Sequence, residues 1–235
     1  MNELLKSASI EKQALGDGEL SLINKQTLRP LTAAEVFTFR LAACNNQVDR
    51  DFEQFTDATL ADLATLFVGR TVLMDHSWCV GSQTARVYAA EVEADGAVKR
   101  LILRCYMLRV EQAAGTIAAI EGGILRECSV GCTVERVLCS VCGVDNAKAY
   151  CEHRPGREYD GTVCVMALDG ASAAYEVSLV AVPAQPDAGI IKSKRYGGAG
   201  EPQTPPADAG ADDALLHMAI AMQGQEEKRY GGFEA

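Results

Sequence analysis

The sequence predicts a β-rich α+β domain over residues 31–192, arranged as a closed or partly open β-barrel flanked by helices. Two observations carry that reading. Runs rich in β-formers recur between positions 36 and 182, while only two convincing segments inside the domain show helical apolar spacing. Hydrophobic residues make up 48% of the 235-residue chain, enough to bury one sizeable core. A cysteine-rich insertion at about 138–165 interrupts the domain. A polar, weakly patterned arm (1–30) precedes it, and an acidic tail (193–235) follows.

Taken in order, residues 36–44 are rich in β-formers and read as a strand. Residues 57–68 read as a helix: Leu60, Leu63, Ala64 and Phe67 share a face, Thr56 or Asp57 caps the start and Gly69 stops it. Residues 71–74 form a short apolar strand that delivers Asp75 and His76 at its end. Residues 85–93 and 97–107 are two strands joined through Asp95-Gly96, which supplies the positive φ angles of a tight hairpin. A helix over 110–121 places Val110, Ala113, Ala114, Ile117 and Ile120 on one stripe and ends at Gly122-Gly123. Residues 124–138 are mostly extended and contain Ser129, and 162–168 and 174–182 are further strands.

The tail differs in kind. Residues 199–227 contain six acidic side chains and no Lys or Arg, the composition of a disordered linker, with one short amphipathic helix expected at 212–223. Lys194-Arg195-Tyr196-Gly197-Gly198 recurs as Lys228-Arg229-Tyr230-Gly231-Gly232. The repeat reads as a duplicated flexible linker or as a recognition sequence, either a docking tag or a self-cleavage site.

Charge narrows the function. With 22 basic against 32 acidic side chains, the net charge of −10 argues against specific nucleic-acid binding. No apolar run reaches 18 residues, so no membrane span is expected. The opening Met-Asn-Glu-Leu-Leu-Lys-Ser lacks the basic and apolar regions of a secretory signal, and a cytosolic setting is expected.

Nine cysteines are an odd number, and a reducing compartment disfavours disulfides. They cluster as Cys139-x2-Cys142, then eight residues, then Cys151-x-His153. Thiolate and imidazole are preferred zinc donors, and two close pairs across a short loop suit a tetrahedral site. The pattern predicts a structural Zn2+ held by Cys139, Cys142, Cys151 and His153, with Cys164 able to replace one of them. A redox C-x2-C pair is the rival reading, and it leaves Cys151 and His153 unused.

Of three histidines, His217 lies in the tail and His153 in the cysteine cluster, which leaves His76 as a possible general base. Ser129 is the best nucleophile candidate, returned to the core by a helix, a glycine pair and a strand, with Gly131 permitting close approach. On pattern alone, both also read as ordinary structural residues.

Four motifs follow one another in order: Asp75-His76 closing a strand, Gly81, Ser129-x-Gly131, and Glu176-Val177-Ser178-Leu179-Val180-Ala181-Val182-Pro183-Ala184. This ordered set resembles the phage prohead (capsid maturation) serine protease family, which is herpesvirus-assemblin-like. The likeness covers about residues 35–190, and Cys132 stands near a place where the family usually has an aromatic residue. The resemblance implies a Ser–His–acid site in which Ser129 attacks, His76 takes the proton and Glu176 orients the imidazole. Asp160 and Glu135 are other acid candidates; Asp75 is set aside because neighbours on a strand face opposite ways. It also implies major capsid protein and scaffold segments as partners and substrates, self-cleavage, a homo-oligomer, and a place inside the assembling prohead in the host cytoplasm. The alternative is a catalytically inactive capsid assembly or scaffold protein of the same fold. A third reading is a zinc-knuckle binding module.

Overall fold

The computed structural model describes residues 15–183, 185 and 188–191. The repeat and the helix expected at 212–223 lie outside these residues. Among the described residues, three α-helices and ten strands form a strand-rich α/β fold: α1 (Asp17–Asn24), β1 (Val36–Asn45), β2 (Glu53–Phe55), α2 (Asp57–Leu66), β3 (Thr71–Met74), β4 (Ala85–Asp95), β5 (Val98–Leu108), α3 (Ala114–Glu121), β6 (Cys128–Cys139), β7 (Glu158–Tyr159), β8 (Thr162–Val163), β9 (Met166–Leu179) and β10 (Gly189–Ile191).

Alternation in β1 and β5 builds the main core. Phe37, Phe39, Leu41 and Ala43 of β1 point to the same side as Leu101, Leu103, Cys105 and Met107 of the antiparallel β5. Helix α2 closes that side with Leu60 and Leu63, joined by Phe67 just beyond its end, all 0% exposed. Each such burial contributes about 1.5–3 kcal/mol. The Thr56 hydroxyl caps α2 by accepting the Thr59 N–H at 3.2 Å. The opposite face of the sheet carries a smaller cluster of Ile23, Leu31, Val36, Tyr88 and Tyr106. Helix α1 therefore docks on the sheet, within the segment expected to be an arm.

Eight strands form one sheet in the order β10-β1-β5-β4-β3-β9-β2, with β6 also paired to β9. Leu179 of β9 faces Met74 of β3 and Cys128 of β6, so β3 and β6 flank β9 on opposite edges. The expected barrel does not close. Strand β10 pairs with β1 but reaches the approach to β6 through a single bridge, Glu127 to Gly189. The β6–β9 pair, bent by register shifts at Gly131/Cys132 and Thr133/Val134, instead continues as a long two-stranded arm along which β9 also pairs with β2 and bonds to α2. It delivers the cysteine-rich insertion at its far end, where β7 and β8 form a separate hairpin.

Other expectations shift in detail. The strands expected at 162–168 and 174–182 are the single 14-residue β9 plus the short β8. The helix expected over 110–121 begins as a 3-10 turn, and Val110 is exposed. In the β4–β5 hairpin only Gly96 takes a positive φ, so Asp95 belongs to the strand. Among the described residues no helix is long and apolar enough to cross a membrane.

Candidate active site and metal centre

The face of β9 turned away from the main core carries Glu176 and Ser178, alternate residues of one strand. Across from them on β6 stand Gly131 and Ser129, respectively. On the other side, β3 ends at Met74 and the chain turns sharply, with Asp75 and His76 both at φ +51°. This left-handed pair is pinned by Asp75 N–H donating to the Leu179 carbonyl at 3.0 Å and by Ser77 N–H donating to Met74 at 3.0 Å.

The turn places the His76 ring against β9. Its Nδ1 lies 2.7 Å from Glu176 Oε1, although the residues are 100 positions apart. Glu176 is 1% exposed and the His76 side chain 43%, so a buried carboxylate meets a base open to solvent. The carboxylate's second oxygen, Oε2, accepts the Ser178 hydroxyl at 2.5 Å. Ser178 Oγ in turn accepts the His76 backbone N–H at 3.0 Å. The hydrogen bond to Glu176 raises the His76 pKa; partial burial works against it, and the charges of Glu176 and Asp75 add to the rise.

Gly131 makes room for this arrangement. A Cβ on that residue would lie 2.6 Å from Glu176 Oε1, the oxygen that holds the histidine. Ser129, two residues earlier, shares its face of β6 and sits opposite Ser178. No hydrogen bond joins the His76 ring to the Ser129 hydroxyl among the described residues. Ser129 also borders a cavity of about 360 Å³ between β6, the end of β1 and residues 49–55.

Of the other acids considered, Asp75 is exposed and makes no bond to the ring. Asp160 lies in the β7–β8 turn, and Glu135 packs over Gly170 on the arm. Ser178 and the left-handed turn are what sequence reasoning did not assign. A signal for Ser178 was present, because a buried Glu needs a donor and the i, i+2 spacing of Glu-x-Ser supplies one on the same face of a strand.

At the far end of the arm, the ligand atoms of Cys139, Cys142, Cys151 and His153 lie within 4.8 Å of one another and could hold a metal ion. Gly143 N–H donates to the Cys139 carbonyl at 2.8 Å, closing the turn that brings Cys142 beside Cys139. Burial pushes the Cys139 thiol up. Hydrogen bonds from the Cys142 and Val141 backbone and from the Cys142 and Cys164 side chains outweigh it and bring the pKa down to about 6. Three thiols and an imidazole make a donor set suited to zinc. His153 Nδ1 is buried without a hydrogen-bond partner, as a ligand nitrogen awaiting a cation would be. Cys164 is close as well, its sulfur 3.8 Å from that of Cys139.

No family model, curated protein or solved structure matches the chain.

Proposed function

We propose that the chain is a serine endopeptidase that processes capsid and scaffold proteins during phage head maturation and also cleaves itself. The observation that carries this reading is the His76–Glu176 hydrogen bond at 2.7 Å, made between the turn after β3 and β9, with Ser129 on β6 along the other edge of β9. Glu176 holds the proton on Nδ1, which leaves Nε2 as the base. Ser129 Oγ attacks the scissile carbonyl and gives its proton to Nε2. The tetrahedral intermediate collapses as His76 returns that proton to the leaving amine. Water, activated by the same nitrogen, then releases the acyl group from Ser129. Zn2+ held by Cys139, Cys142, Cys151 and His153 would have its four positions filled by protein and would staple the insertion.

A second reading, a catalytically inactive assembly or scaffold protein, is favoured by one observation: no hydrogen bond connects His76 to Ser129 among the described residues. In free enzymes such bonds are often long and tighten only with substrate bound. Full-length wild type and Ser129→Ala, each incubated with the major capsid protein, separate the two readings by intact mass. The proposal expects trimmed capsid protein and a shortened tail near Gly198 or Gly232 with wild type, and neither with the variant. Equal trimming by both would remove Ser129 as nucleophile, and no trimming by either would favour the scaffold.

A further inference from the structure

Ser178 is fully buried, at 0% exposure, and both of its bonds lead into the proposed site. The direction of each bond is fixed by chemistry. A backbone N–H can only donate, so Ser178 Oγ accepts from His76 N–H. The single hydroxyl proton is then available for Glu176 Oε2. Glu176 Oε1 is left facing the His76 Nδ1 at 2.7 Å, and an ionised carboxylate oxygen can accept there only from the Nδ1–H form of the ring. The three bonds close a ring that starts at the His76 backbone, passes through Ser178 and Glu176, and returns to the His76 side chain.

We propose that Ser178 is a positioning residue that clasps Glu176 and the His76 main chain together, holding the imidazole as its Nδ1–H tautomer with Nε2 bare. This role rests on the catalytic reading above. Each of the three bonds fixes a different freedom. The bond to His76 N–H anchors the left-handed backbone at φ +51°. The bond to Oε2 stops the carboxylate from rotating about its last torsion. With Oε2 engaged from the β9 side, Oε1 is left to meet Nδ1.

The same bonds rule out a different role for this hydroxyl. Ser178 stands opposite Ser129 in register, so proximity alone would make it a rival nucleophile. Its proton is committed to a carboxylate, its lone pair to a backbone N–H, and no surface of it is open to a substrate. Ser129 has no such bonds among the described residues.

The test uses full-length protein labelled with 15N-histidine, with the His76 resonances assigned through His76→Gln. Wild type at a pH where the ring is neutral should show one tautomer, protonated at Nδ1. Ser178→Ala should give a mixture of tautomers. It should also lower kcat on a peptide substrate by roughly 10–100-fold with KM within about twofold. Ser178→Cys nearly keeps the volume with a much weaker donor, and it should give the same mixture of tautomers even where the Ala variant folds poorly. Ser178→Thr, which keeps the hydroxyl, should restore the single tautomer. A single Nδ1–H tautomer in both the Ala and Cys variants would overturn the proposal, whether or not kcat falls. Wild type that cleaves nothing would sink the protease reading alone, because the tautomer measurement needs no activity.

Discussion

At the scale of single residues, Glu176 decides how His76 titrates. Its hydrogen bond is the largest cause of the raised histidine pKa, so the acidic limb of the pH–activity profile should lie above the ordinary value of 6.5. Glu176→Gln removes both the charge and the strong acceptor. We expect that limb to move to lower pH and activity to fall on the order of a thousandfold or more, since the amide no longer selects the right tautomer. The linkage to stability has a definite sign. A histidine whose pKa rises on folding stabilises the fold fully below its unfolded pKa near 6.5, and that contribution disappears as pH climbs through the folded value. The melting-temperature gap between wild type and His76→Gln should therefore be larger at pH 5.5 than at pH 8.5. Equal gaps would mean that the ion pair does not form in solution. Gly131 offers a steric test of the same contact. A methyl group 2.6 Å from Glu176 Oε1 must displace the carboxylate, at a cost of about 1–3 kcal/mol. Gly131→Ala should lower the melting temperature by several degrees and abolish cleavage even though Ser129 and His76 remain. A Gly131→Ala protein with wild-type melting and activity would show that the pocket is looser than drawn here.

At the scale of elements, local pattern was enough wherever an element's own residues settle its form. The spacing of Leu60, Leu63 and Phe67 locates α2, and the β-former runs locate β1, β4 and β5 to within a few residues. Pattern failed where tertiary contacts override local signals. Two separate strands are expected at 162–168 and 174–182, yet β9 runs through the gap between them: Gly170 takes φ +70°, Glu135 packs over it, and Arg136 pairs with Asp169. Helix α1 has few apolar residues, and its order comes from Ile23 meeting Tyr88 and Tyr106, contacts no local window contains. The candidate site divides in the same way. Residue types and spacing singled out His76 and Ser129 as candidates and marked the cysteine knuckle, and the resemblance added Glu176, while the left-handed turn and the Ser178 clasp depend on how β3, β9 and β6 lie together. Asp75 does stay off the ring, but not through strand parity: Asp75 and His76 both lie beyond the end of β3, in the left-handed turn. The insertion makes its own prediction, because apart from its cysteines it has little apolar core: Cys139, Cys164 and Met166, with Val137, Val141, Cys151 and Tyr159 around them. Purified protein should carry one zinc per chain, lost in Cys142→Ser or by chelation. Loss should bring rapid proteolysis between residues 138 and 165 while the sheet stays resistant. Protein made with ample zinc that contains none would remove the metal from this account.

At the scale of the whole molecule, the site lies where a peptide can reach it from an open strand edge. Between Ser129 and Arg136, β6 pairs with β9 alone among the described residues, so its other edge offers unpaired backbone groups to an extended chain. Beside His76 stands Trp78, the single tryptophan of the sequence, with 74% of its surface exposed. Its ring meets that of Tyr175 at 6.1 Å, and the Tyr175 hydroxyl is 2.8 Å from Thr133 Oγ1 on β6. The aromatic pair thus bridges the His76 turn to the strand that carries Ser129. Exposed aromatic surface of this size is often a binding surface, and water leaves it when a ligand covers it. Because no other tryptophan contributes, the fluorescence of the intact protein reports this spot alone. Added to full-length Ser129→Ala, which under the proposed function should bind without cutting, a peptide spanning a capsid cleavage point should shift the emission to shorter wavelength and saturate. If the ring binds peptide as the proposed function expects, Trp78→Phe should keep the fold and weaken cleavage by wild-type Ser129 chiefly through KM. An unshifted spectrum at peptide concentrations that saturate cleavage would place the substrate elsewhere on the sheet and detach Trp78 from the site.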